Sequence, residues 1–228
     1  MPDTPSFFLL LGIWTGAAAA AMLALRSRRA AGLAAGGFLA LCAIPAAAVL
    51  LVRVGVLAGV LPDAPATEGA YALARWPVLG VAAAGAVLSL RGRGSAACLA
   101  RSPLVLRGLC LFTALGYLAI EAGKLAHDAE MREFFTGSGY PVVMMYAVMA
   151  AETLGAVGLL VPRTRLPAAA GLSVLMLGAI GTHLKNGDPL SDSLDAVRFL
   201  VLLAAIAALV RAPRRGEVEG RPSIASPS

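Results

Sequence analysis

The sequence predicts an all-α, polytopic transmembrane helical bundle of about seven spans. Three observations carry that prediction. Hydrophobic residues make up 59% of the 228-residue chain, charged residues only 14%, and the mean hydropathy is +0.81; a soluble domain is about one-quarter charged. The apolar residues arrive in blocks of about 20 with charged punctuation between them, the length a helix needs to cross a bilayer. Alanine and glycine are abundant while aromatics are 6%, a composition suited to helices that approach closely in lipid.

The elements follow in order. Span one runs from Ser6 to Leu25 and is closed by Arg26, Arg28 and Arg29. Asp3 stands where a signal peptide would carry basic residues, so this run reads as a span that is retained. Span two covers Ala30 to Val52, with Pro45 as an expected kink and Arg53 ending its apolar core. Leu61 to Gly69 holds two prolines and two acids and reads as a loop. Span three is Ala72 to Leu90, with Trp76 as an interfacial anchor. Span four is Leu104 to Leu125, and Asp128 to Phe135 reads as a short interfacial amphipathic piece. A Gly-Ser-Gly-Tyr-Pro turn at Gly137 to Pro141 precedes span five, Val142 to Val161. Span six is Leu166 to His183, and span seven is Leu194 to Val210. The chain thus divides into a three-span region at 1–103, a four-span region at 104–211 and a polar, disordered tail at 212–228.

Charge sets the expected orientation. With the N-terminus outside, the inner segments hold Arg26, Arg28, Arg29, Arg91, Arg93, Arg101, Arg107, Arg163, Arg165, Arg211, Arg214, Arg215 and Arg221, thirteen of the 19 basic residues. The positive-inside rule then predicts an inner-membrane protein with its N-terminus outside and its C-terminus cytoplasmic. Nucleic-acid binding is excluded as the meaning of the +6 net charge, because the positives sit in short loops between apolar runs. Cys42, Cys98 and Cys110 form no CxxC pair, which argues against a thiol–disulfide enzyme. A retinal protein would need a lysine in its last span, and Asp195 to Val210 has none.

The candidate site lies at the end of span four. On a helix, Tyr117, Glu121, Lys124 and Asp128 share one face, and such a face must look into a bundle, a wet cavity or the interface. Glu152 sits ten residues into span five, roughly 15 Å deep at helical rise. A desolvated carboxyl there can shuttle a proton, and Lys124 is its expected partner, although Lys124 sits nearer the surface. Glu152, Lys124 and His127 are therefore the candidate catalytic residues. Tyr117, Glu121, Asp128, Met149 and His183 are the candidate ligand-binding residues. The competing reading makes Glu152 a hydrogen-bonded clamp between helices. His127 and His183 lack HxxxH or ExxH spacing, so no metal is assigned, and His183 also reads as a C-terminal helix cap.

From Leu109 to Val210 the pattern resembles the DoxX-like family of four-helix bacterial membrane proteins. The helix Gly116 to Ala126 ends in a lysine and is followed by an amphipathic piece and a Gly-Tyr-Pro turn. A helix with Glu152 before a Gly-rich stretch, an arginine-bearing loop at Arg163 and Arg165, a small-residue helix and a last span complete it. Residues 1–103 carry no part of the resemblance. The family implies a small membrane subunit of a redox system that binds quinone or another lipophilic molecule near the outer leaflet, alongside a redox-enzyme partner. The alternative is a non-enzymatic assembly factor that holds a client protein, or a structural subunit. A lipid- or sterol-binding, isomerase-like bundle is the third reading.

Overall fold

The computed structural model describes residues 46, 47, 50–60 and 103–211. Expected spans one and three, most of span two and the tail lie outside the described residues. Residues 103–211 form five α-helices: α1 (Pro103–Ala126), α2 (Asp128–Gly137), α3 (Val142–Leu160), α4 (Arg165–Asn186) and α5 (Leu194–Arg211), with a 3-10 turn at Leu190–Ser193 before α5. No strand occurs among the described residues. Among the described residues four segments are long and apolar enough to cross a membrane: α1, α3, α4, and the 3-10 turn with α5.

Local chemistry explains the boundaries. Pro103 opens α1, where its missing N–H is no loss. Pro141 stands in extended conformation before α3, and Val161 turns extended ahead of Pro162, which ends it. Two side chains then satisfy the orphan carbonyls of α3: Thr164 Oγ1 donates to the Gly158 oxygen at 2.8 Å, and Arg165 Nε to the Leu159 oxygen at 3.1 Å. α4 runs a turn past His183. Its cap is Gly187 at φ +74, whose N–H donates to the Leu184 oxygen while Asp188 N–H donates to the His183 oxygen. The expected cap at His183 is thus displaced to the residue that tolerates a left-handed backbone. Residues 50–57 are helical through Arg53, because one arginine does not stop a helix.

The four long helices close a ring: α1 packs on α3, α3 on α4, α4 on α5, and α5 on α1. α1 is the most deeply packed of the four. Ala46 joins the same apolar core as residues of all four helices, and Arg53 lies beside Gly123 of α1. The N-terminal region therefore touches the ring on the α1 side. α3 and α4 meet through glycines of α3. A Cβ on Gly155 would fall 2.6 Å from Leu172 Cγ, and one on Gly158 would fall 2.9 Å from Ala168 Cβ. Small residues let two backbones approach where no water is present to drive them together.

Candidate functional site

α3 buries Met145, Met149, Glu152, Ala156 and Leu159, a stripe at steps of four, three, four and three. Glu152 is the one ionisable group on it. α1 faces it with Glu121 and Lys124. Lys124 Nζ donates to Glu121 Oε1 at 2.8 Å and also to Glu152 Oε2. Glu121 and Glu152 are 5% and 4% exposed, and the Lys124 side chain is 21% exposed. One ammonium thus bridges two buried carboxylates on two helices. With all three groups ionised the cluster carries one net negative charge, and with one proton added it is neutral. Such an arrangement is poor evidence for stability, since taking charges out of water offsets most of their attraction.

A second polar cluster sits one turn further out. Tyr146 donates its hydroxyl to Asp128 Oδ1 at 2.7 Å, while Arg132 donates to Asp128 Oδ2 at 2.6 Å and to the Tyr146 oxygen at 2.6 Å. The Tyr146 hydroxyl and the Arg132 guanidinium hold the Asp128 carboxyl below the usual aspartate value. These contacts fix the register of the antiparallel pair: Asp128 lies level with Tyr146, and Lys124 with Glu152. Glu152 is therefore about 9 Å of helical rise from the polar layer at Tyr146. Lys124 does not sit above Glu152 as expected. The chain turns aside at His127 into α2, so α3 begins beyond the level at which α1 ends.

The other candidates divide. Tyr117 is buried one turn below Glu121, its ring centroid 4.2 Å from that of Phe199 on α5. Met149 is buried one turn from Glu152. His127 lies in the break between α1 and α2, with Nδ1 3.0 Å from the Gly123 carbonyl oxygen. His183 makes its contacts at the end of α4, with Asp188 Oδ2 at 2.8 Å and the Phe134 ring at 5.6 Å. Beside it, Lys185 donates to the Ser138 oxygen and Asn186 to Ser138 Oγ, both at 2.8 Å, which pins the turn between α2 and α3. Among the described residues no group of three or more His, Cys, Asp or Glu could hold a metal ion.

Two residues escaped the sequence reading. Tyr146 became visible only with the register of α1 against α3. Thr113 is fully buried on α1, four residues before Tyr117, and its hydroxyl has no hydrogen-bond partner among the described residues. The helical step of four from Tyr117 was the available signal.

Packed apolar helices with a buried ionic cluster near one end define a multi-pass membrane protein. Residues 108–210, spanning nearly all of α1 through α5, match the model of the DoxX-like family. No curated protein and no solved structure matches the chain.

Proposed function

We propose that the DoxX-like region is a small membrane module that binds quinone or another lipophilic molecule at the end of the ring where α2 lies, and handles protons there. The observation that carries this reading is the bridging of Glu121 and Glu152 by Lys124. Three ionisable groups of unequal charge, buried beside lipid-facing helices, hold a proton that can be given up or taken. Lys124 keeps the two carboxylates together and can stabilise an oxyanion that develops on a ligand. Glu152 is the proton-exchanging group, and His127, at the break between α1 and α2, is the outward relay. The module then serves as a subunit of a membrane redox system.

Its orientation follows from charge. Arg107, Arg163, Arg165 and Arg211 lie at one end of the four long helices, with no acid among the described residues there. The other end carries Asp128, Glu130, Glu133, Asp188, Asp192 and Asp195. The arginine end faces the cytoplasm and the ligand end the outer side of the inner membrane. With three further spans in residues 1–103 the N-terminus lies outside.

The test is binding of a short-chain quinone to the purified full chain in mild detergent. Glu152→Gln is expected to weaken binding by roughly tenfold or more. Binding that is unchanged by this substitution would sink the reading. One observation favours a second reading: Lys124 joins two helices, as an interhelical clamp would. An assembly factor or structural subunit would retain a stoichiometric client protein, bind no quinone, and tolerate Glu152→Gln without loss of that client.

A further inference from the structure

A row of polar residues runs along α1 among the apolar residues that it buries. Arg107, Cys110, Thr113, Tyr117, Glu121, Lys124 and, just past its end, Asp128 follow one another at steps of three or four. At 100° per residue those on α1 stay within one sector of the helix, and at 1.5 Å rise Arg107 to Lys124 spans about 26 Å, most of the hydrocarbon core. The two end residues differ from the middle. Arg107 is exposed and Asp128 half-buried, whereas Cys110, Thr113, Tyr117 and Glu121 are buried. The facing stripe of α3 has a single ionisable group, Glu152. α5 opposes α1 with apolar residues, Phe199 against Tyr117 and Leu203 and Ile206 buried beyond it. Apolar residues of similar volume would fill the same space at no desolvation cost.

Two atoms on the stripe point to what occupies it. Thr113 Oγ1 is buried in a residue that is 0% exposed, and Glu121 Oε2 in one that is 5% exposed; neither has a hydrogen-bond partner among the described residues. Buried polar atoms are almost always satisfied, and buried water is their usual partner when protein atoms are out of reach. The two lie about 12 Å apart along the helix with Tyr117 midway.

We propose that this stripe carries a file of water through the ring of helices and conducts protons between the Arg107 end and the Glu121–Lys124–Glu152 cluster, and from there past Asp128. The transfer is a relay. Each carrier accepts a proton on one side and releases one on the other, and no bond between heavy atoms changes. The cluster is the gate, since it is neutral with one proton and negative without it. This inference rests on the reading of the cluster as a proton-handling site, and it adds where that proton comes from.

The experiment uses the full chain in liposomes loaded with a pH-sensitive dye. A potassium diffusion potential drives protons inward. The wild-type protein is expected to take up protons faster than protein-free liposomes. Thr113→Val and Glu121→Gln are each expected to slow that uptake by roughly tenfold or more. Thr113→Val removes a hydroxyl that loses no protein partner, so the variant is expected to fold, which its unfolding midpoint in detergent checks. Wild-type uptake no faster than that of empty liposomes overturns the proposal, as does uptake by a folded Thr113→Val protein at the wild-type rate. Quinone binding in the same preparations separates this failure from failure of the site. Binding that depends on Glu152 without proton uptake leaves the site standing and removes the file. Thr113-dependent uptake without quinone binding does the reverse.

Discussion

α3 is held on its two sides by opposite means. Its seam with α1 is ionic near the end where α2 lies: Lys124 reaches across to Glu152 while holding Glu121. Its seam with α4 is made by absence of side chain, Gly155 lying under Leu172 and Gly158 under Ala168. The glycine seam gains dispersion contact over a long surface and demands only shape. The ionic seam gains little net stability, because desolvation offsets Coulomb attraction, yet it fixes one register and one pairing. A helix that needed only to be packed would use the first device on both sides. The second is confined to the buried cluster, and that contrast is the physical reason for reading the α1–α3 seam as functional.

The comparison breaks most severely at Lys124. Lys124→Met leaves two carboxylates buried with no cation between them, and removing one partner of a buried pair costs about 3–5 kcal/mol. Unfolding in mixed micelles should show that loss. Replacing all three groups, as Glu121→Gln with Lys124→Met and Glu152→Gln, should recover most of it, since a buried ionic cluster exchanged for neutral groups is often neutral in stability. A triple variant as unstable as Lys124→Met alone would show that the cluster contributes through something other than its charge.

The glycine seam should respond less and in a different currency. Gly155→Ala puts a methyl group 2.6 Å from Leu172 Cγ, so a backbone or a branched carbon must move. Overpacking of that kind costs about 1–3 kcal/mol. Because the neighbours touch, the double variant with Leu172→Ala should lose less than the two single losses added together. Full additivity would mean that α3 and α4 separate freely. Quinone binding should survive Gly155→Ala wherever the protein remains folded, which Lys124→Met would not allow.

Over residues 103–211 most of the helix boundaries were legible from residue type and spacing. α1, α3 and α5 begin and end within a residue of the apolar runs, and prolines at 103, 141 and 162 punctuate α1 and α3. α4 overran the expected end at His183, since Gly187 holds the left-handed cap. The Lys124–Glu152 pairing was legible as a condition, namely that α1 and α3 be neighbours. Its level was not, because the turn of the chain at His127 shifts α3 along α1 by an amount no periodicity encodes. Tyr146 was missed for the same reason, as its partner Asp128 is close only in that register. Thr113 was missed because a single threonine in an apolar run is unremarkable until its burial is known.

The smallest effect tests the outer end of the ionic seam. Asp128 accepts from Tyr146 and Arg132, contacts that favour its charged form and hold its carboxyl below the ordinary aspartate value. A group with a depressed folded value contributes stability that is full above the unfolded value, about 3.9, and is lost as pH falls through the folded one. Asp128→Asn should therefore be slightly less stable than the wild type at neutral pH. The gap between their unfolding midpoints should close as the medium is acidified from about pH 4 downward. Asp128 is partly exposed, so high salt should shrink the gap as well. A gap that stays constant across this range would mean that the contacts of Asp128 do not depend on its charge. The register of α1 against α3 would then rest on Lys124 and Glu152 alone.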